Sequence, residues 1–254
     1  RPSWRMSVKL ISMFCMFCFV VILNITAVVA QTGQETHVVY RDKGNNLFSV
    51  LTTGGEPLRL TPEDARVDRY DITSAGNVVY RDSKSGLFVV PVSGGKPRQL
   101  NEGASVLQSY VISSDGNYVV YTDGAQLYSV SIEGDEPIQL NAAEQKLGIE
   151  PYYEYPRTLY DISPDSSHVI FTAANARDVY QLYAVPITGG ETVQLNPRLV
   201  SGGNVTSFGI SSDSKHVVYA ADQKVDEKFD LFSIGVDGGE SLQLTSGDTV
   251  AGEW

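Results

Sequence analysis

Cysteine is almost missing from this 254-residue chain. The only two, Cys15 and Cys18, lie in an N-terminal apolar run. Beyond residue 30 no disulfide can staple the fold and no thiolate can hold a metal. Their Cys-x-x-Cys spacing would point to redox or zinc chemistry in a soluble segment. Among Leu, Ile, Phe and Val it reads as apolar filler, and neither cysteine follows the small residues of a lipoprotein signal. Bases are also scarce, 19 Lys and Arg against 30 Asp and Glu, for a net charge of −11. Binding DNA or RNA requires cations that displace counterions from phosphates, so nucleic acid is excluded as a partner. Docking onto an anionic lipid surface is disfavoured by the same deficit.

Signatures of catalysis are missing too. There is no Gly-x-Ser-x-Gly nucleophile elbow, P-loop, His-Glu-x-x-His or Rossmann glycine fingerprint. No catalytic residue, cofactor or metal is therefore assigned. No segment after residue 31 carries a sustained helical period with caps. Plentiful instead are 23 Gly, 11 Pro and 14 Tyr, within a chain that is 42% hydrophobic. That mixture predicts a sizeable core built from many short strands joined by turns.

Residues 1–30 follow different rules. Arg1, Arg5 and Lys9 are the only charges, and they precede an apolar run from Leu10 to Leu23. The segment ends in Ala27-Val28-Val29-Ala30, narrow enough for a signal peptidase. The expectation is a secretory signal peptide cleaved after Ala30, with Met6 as the translation start. An uncleaved membrane anchor is the alternative, since a spanning helix needs about 20 apolar residues; Asn24 and Thr26 weigh against it. Cleavage would leave 16 bases against 30 acids, a net of −14, in a periplasmic or secreted protein. Contact with a membrane would follow only if the segment stayed attached.

The remainder, 31–254, is one repeated unit. His37-Val38-Val39-Tyr40 recurs as Asn77-Val78-Val79-Tyr80, Tyr118-Val119-Val120-Tyr121, His168-Val169-Ile170-Phe171 and His216-Val217-Val218-Tyr219. Each copy leads to a second apolar run, such as Leu47-Phe48-Ser49-Val50 or Leu182-Tyr183-Ala184-Val185. A glycine turn follows, then a short run ending in Leu60, Leu100, Leu140, Leu195 or Leu244. A further strand, for example Tyr160-Asp161-Ile162-Ser163, links one copy to the next. Four short strands in 40-odd residues predict an all-β chain, a β-propeller of four-stranded antiparallel blades. About five blades are expected. The chain would enter at a second strand, His37, and stop at the start of a first strand, Val250–Trp254. That expectation makes it a fragment of a larger ring, truncated at its C-terminus; a closed five-bladed ring is the alternative.

Ile162-Ser163-Pro164-Asp165-Ser166, the Leu-Tyr/Phe-x-Val run and the Gly-Gly-x-x-x-x-Leu-Thr/Asn ending resemble the TolB-type, WD-like β-propeller repeat. The resemblance spans roughly residues 37–254. It implies the propeller fold; the same repeat serves periplasmic scaffolds, surface proteins and the propellers of prolyl oligopeptidase-like peptidases, so it brings no chemistry with it.

Repetition itself weeds out site candidates. His37, His168 and His216 share one repeat position, so they belong to different blades and are read as structural. Asp115, Asp165 and Asp213 share another, in hairpins where an aspartate accepts from nearby amides. The loop Asp222–Asp230 has four carboxylates but lacks the spacing of a calcium loop and contains Lys224 and Lys228. Asn204-Val205-Thr206 is a glycosylation sequon.

Departures from the repeat are more informative. The connection from Leu140 to Tyr160 is twice as long as those from Leu60 to Tyr70 and from Leu100 to Tyr110, and includes a Tyr-, Pro- and Glu-rich stretch at 145–156. The second-to-third-strand loops at 172–181 and 220–230 are also enlarged. In an up-and-down blade all three emerge at the same end, where a rigid scaffold can present a binding surface. Tyr152, Tyr153 and Tyr155 supply amphipathic anchors, and Glu150, Glu154, Asp178, Asp226 and Glu227 an acidic rim. The expected partner is a protein or peptide, basic in character. The tyrosines are equally readable as a lid packed over the third blade. Two other readings stay open, the propeller domain of a larger peptidase and a carbohydrate- or calcium-binding surface protein.

Overall fold

The computed structural model describes residues 28–32, 35–102, 106, 110–124, 126–147, 160–175 and 179–246. These contain twenty strands and no helix. The strands form five four-stranded sheets in which neighbours in sequence are neighbours in space and every pairing is antiparallel. This is the meander of a propeller blade.

The chain divides into two compact units, Arg1–Gln99 and Leu100–Trp254. The first holds two blades. One comprises β1 (Val28–Thr32), β2 (Glu35–Arg41), β3 (Leu47–Leu51) and β4 (Leu58–Arg59). The other comprises β5 (Val67–Ile72), β6 (Asn77–Asp82), β7 (Leu87–Pro91) and β8 (Arg98–Gln99). The second unit holds three. The third blade is β9 (Tyr110–Ile112), β10 (Tyr118–Thr122), β11 (Leu127–Ser131) and β12 (Ile138–Gln139). The fourth is β13 (Tyr160–Ile162), β14 (His168–Ala174), β15 (Tyr180–Pro186) and β16 (Val193–Gln194). The fifth is β17 (Val205–Ile210), β18 (His216–Ala221), β19 (Asp230–Gly235) and β20 (Leu242–Gln243).

One expectation needs correcting. The repeat alignment has the chain entering its first blade at a second strand. Instead β1 supplies the first strand, running from Val28 opposite Val39 to Thr32 opposite Glu35. An apolar, β-branched run suits the end of a leader and a strand equally well, so composition does not separate them. The Ala30–Gln31 bond, where cleavage is expected, falls inside this strand. The first strand expected at Val250–Trp254 lies outside the described residues.

Alternation along the strands gives each blade two different faces. In the first unit, Val39, Leu47 and Leu60 of one blade pack with Val78, Tyr80 and Val90 of the next. In the second, Val120, Leu127 and Leu140 pack with Val169, Phe171, Tyr183 and Val185. Ile170, Leu182 and Leu195 then pack with Val217, Tyr219, Phe232 and Ile234. Within each unit a blade thus turns an aliphatic trailing face to the blade after it, which meets it with an aromatic leading face. Burying one such leucine contributes roughly 1.5–3 kcal/mol. On every leading face the second- and third-strand rings stack, from Tyr40–Phe48 at 5.7 Å to Tyr80–Phe88 at 5.2 Å. The other three pairs fall between these distances.

The hairpins between first and second strands carry a second tie. In the second to fifth blades each has one residue in the left-handed region, Gly76 and Gly116 in the second and third. In the fourth and fifth blades Ser166 and Ser214 sit there, at φ of 64° and 62°. Both are buried, and each hydroxyl accepts from the amide of the turn aspartate one blade earlier. Asp115 N reaches Ser166 Oγ at 3.1 Å and Asp165 N reaches Ser214 Oγ at 2.9 Å. Serine tolerates the strained backbone because its side chain sews adjacent blades together.

Candidate functional site

The carboxylates of the turn aspartates are held mainly by groups of their own turns. Asp165 accepts from the Ser163 and Ser167 hydroxyls at 2.6 and 2.7 Å, which hold its carboxyl down to about 2. Burial works to raise Asp115, but bonds from Ser113 and Asn117 outweigh it. The Ser211 hydroxyl lowers Asp213 in the same manner. A carboxylate stabilised as an anion is a poor proton donor or base near neutrality. The histidines occupy the second strands of three separate blades. His37 Nδ1 lies 3.0 Å from Ser49 Oγ, and His168 Nδ1 lies 2.8 Å from Ser167 Oγ. Among the described residues no group of His, Cys, Asp or Glu is arranged to hold a metal.

Two sets of hydrogen bonds tie down the enlarged connections of the second unit, one on each side of residues 175–179. The connection leaving the third blade starts with Asn141, whose Nδ2 donates to Gln145 O at 2.6 Å. Lys146 then bridges to Ala174 at the end of β14, with Lys146 N to Ala174 O at 3.1 Å and Ala174 N to Lys146 O at 2.8 Å. Leu147 is buried beside Ala173 in the core shared by the third and fourth blades. The first part of the insertion is therefore anchored to the end of β14; the loop expected at 172–181 is largely strand, with Thr172 to Ala174 of β14 paired to Leu182 to Tyr180 of β15 and only residues 175–179 between them.

On the far side of that loop, Tyr180 N donates to Asn204 Oδ1 at 2.9 Å. Asn204 N donates to Asp222 Oδ1 at 2.5 Å, and Glu227 N donates to Asp222 Oδ2 at 3.1 Å. Asp222 is buried, and both its oxygens are spent on backbone amides. It organises the connection at 222–229 and leaves Asp226 and Glu227 at the surface, while Asp230 on β19 is half-buried and accepts from Gln243 and Thr245. Two glycines let the segments approach. A Cβ at Gly203 would lie 2.7 Å from Asp222 O, and one at Gly202 would lie 2.6 Å from Asp226 Oδ1.

The structure thus fixes the roots of the three connections through these two sets of hydrogen bonds, both flanking the β14–β15 hairpin of the second unit. Asp226 and Glu227 are exposed on its surface, with Glu227 at a φ of 62°. Val225 beside them is 52% exposed, and Lys224 and Lys228 are exposed as well, so this sector mixes acid, base and an apolar side chain. Glu150, Tyr152, Tyr153, Glu154, Tyr155 and Asp178 lie outside the described residues. Sequence reading misses Asp222 and Asn204 as the organisers. It counts Asp222 among four equivalent loop acids and reads Asn204 only as a glycan acceptor. The Asn204 side chain is engaged instead, accepting from Tyr180 and donating through Nδ2 to Gly202 O at 2.9 Å. Burial of the first acid of a loop is a tertiary property, with no counterpart in a count of carboxylates.

No family model and no curated protein matches the chain. Solved structures do. Dipeptidyl peptidase 4 of Porphyromonas gingivalis is similar over 85% of this chain and 39% of its own, at 10% identity and a TM-score of 0.62. An oligogalacturonate lyase in complex with manganese is similar over 87% of this chain and 72% of its own, at 14% identity and a TM-score of 0.52. A putative TolB from Agrobacterium tumefaciens is matched over 87% of this chain and 82% of its own, at 16% identity and a TM-score of 0.44. The chain spans well under half of the peptidase. Likeness at such identity is a likeness of fold, and the fold of this chain is that of β-propeller blades.

Proposed function

We propose that this chain is a non-catalytic binding module of the TolB-like propeller type, exported to the periplasm or beyond, which engages a protein or peptide through the loop end of its second unit. The observation supporting this reading is the network from Lys146 through Ala174, and from Tyr180 through Asn204 to Asp222 and Glu227. It pins the roots of three long connections to a rigid sheet scaffold, the usual construction of a recognition surface. Tyr152, Tyr153 and Tyr155 are the proposed anchors, with Glu150, Glu154, Asp178, Asp226 and Glu227 as an acidic rim for a basic partner. The test takes a partner recovered by pull-down and measures binding and melting temperature together. Tyr152→Ala, Tyr153→Ala or Tyr155→Ala should cost about 1–3 kcal/mol of binding with melting unchanged. Lower melting with binding intact would make these tyrosines a lid on the core.

A second reading is that the blades belong to a larger peptidase. It is favoured by the likeness to dipeptidyl peptidase 4, of which this chain spans 39%. Reading the gene downstream of codon 254 discriminates: a hydrolase domain with a nucleophile elbow replaces the first reading with the second.

A further inference from the structure

The first strand of the first blade reaches into the segment read as a leader. β1 pairs with β2 in five places, Val28 with Val39, Val29 with Val38, Ala30 with His37, Gln31 with Thr36 and Thr32 with Glu35. Only Gly33 and Gln34 stand between the paired ends, and glycine first is what a two-residue hairpin of type II′ takes. On its other edge β2 is paired with β3 from His37 to Arg41. β1 therefore closes the remaining edge of a strand whose Val39 is fully buried and whose His37 is 7% exposed. Each of the other four blades carries a first strand in this place, β5, β9, β13 or β17.

A cut after Ala30 is at odds with this sheet. It removes Val28, Val29 and Ala30, three of the five pairs, and leaves Gln31 and Thr32 as a stub. The Val38-Val39-Tyr40 stretch of β2 would then present an apolar edge of the kind that invites pairing with another chain. A second cleavage sequence stands three residues upstream. Ala30 has Val28 two positions before it, and Ala27 has Ile25 two positions before it. Both sites offer a small residue at the cut and a β-branched aliphatic two positions earlier, so the local sequence does not rank them. They differ in what they leave behind. Val28, the first residue of β1, directly follows Ala27.

We infer that the leader is removed by a signal peptidase between Ala27 and Val28, so that the exported chain begins at the first residue of β1 and carries its first blade whole. Water hydrolyses that one peptide bond, leaving a carboxylate on Ala27 and an amine on Val28. The strand does not direct the peptidase; it is what a cut at this bond, and not three residues on, leaves intact. Retention of the segment as an anchor would spare β1 as well. The run Leu10–Leu23, however, fits the roughly 7–15 residues of a leader's apolar core and is shorter than the ~20 of a membrane span. The inference rests on the export part of the reading above and stands without the loop end.

The test expresses the full chain, leader included, in a bacterial host and reads the N-terminus of the exported chain by intact mass and terminal sequencing. Val28 should be the first residue. Ala30→Leu puts a broad side chain before the downstream bond and should leave Val28 first, whereas Ala27→Leu should abolish that species. In the exported parent the β2 amides that face β1 should be protected from hydrogen exchange. Exported chains that begin at Gln31, or a Val28 terminus that survives Ala27→Leu, would overturn the inference and leave export standing. Unprotected β1-facing amides would overturn it by removing the strand from the mature blade. A leader kept on an exported chain would overturn it too, and a leader kept on a chain that never leaves the cytoplasm would take the export reading with it.

Discussion

Replacing Ser166 by alanine should destabilise the second unit more than replacing it by glycine, although alanine is the more conservative change in size. Ser166 holds φ at 64°, and its hydroxyl accepts from the Asp115 amide at 3.1 Å. Either substitution removes that hydrogen bond, a net loss of about 0.5–1.5 kcal/mol, since the Asp115 amide lies in an exposed turn where water can replace the hydroxyl. Alanine also keeps the left-handed strain, about 1–2 kcal/mol for a residue with a Cβ. Glycine relieves it but loses about 0.4–1 kcal/mol by loosening the unfolded chain. Alanine, which keeps the strain serine already bears, should therefore cost about 0.5–1.5 kcal/mol, and glycine about 0.5–1 kcal/mol less than alanine. Urea denaturation followed by tyrosine fluorescence measures both, since the only tryptophans, Trp4 and Trp254, lie near the chain ends. Hydrogen exchange supplies the local readout: the Asp115 amide should lose protection in both variants. Alanine and glycine of equal stability, or an Asp115 amide still protected, would refute the idea that a strained serine is retained for its bond to the next blade.

Asp222→Ala strips the acceptor from the Asn204 and Glu227 amides and should cost about 2 kcal/mol, with faster hydrogen exchange confined to 199–230; unchanged exchange there would remove Asp222 as the loop organiser. Asp165 is held at about 2 when folded, below the 3.8 of a free aspartate, so its stabilisation is complete above about pH 4 and is lost as pH falls through 2. For this exposed side chain the effect is about 1 kcal/mol after solvent screening, and Asp165→Asn should flatten that limb of the stability–pH curve. Export with cleavage after Ala30 would instead give a mature N-terminus at Gln31 by intact mass, against the Val28 inferred above. The first blade would then lose Val28, Val29 and Ala30 from β1 and expose the edge of β2; an N-terminus at or upstream of Val28 would contradict cleavage there.

Much of the fold is legible in the sequence because its causes are local. A run such as Leu-Phe/Tyr-x-Val has the two-residue period of a strand, and Gly54-Gly55 or Gly94-Gly95 reaches the positive φ that its turn needs. Five copies of that pattern are enough to predict five antiparallel meanders and to set aside the repeated histidines and turn aspartates. The enlarged loops are legible for the same reason, as breaks in a period. What the tertiary structure alone decides are matters of which distant residue arrives where. Val28–Thr32 becomes a strand because β2 offers it an edge, Ser166 bears a left-handed backbone because an amide 51 positions earlier reaches its hydroxyl, and Asp222 is buried because Asn204 and Glu227 bring their amides to it. Leu244 and Leu195 occupy equivalent places in the repeat, yet one is exposed and the other buried. Leu195 is buried because the fifth blade covers it, since burial is a property of the partner face and not of the residue.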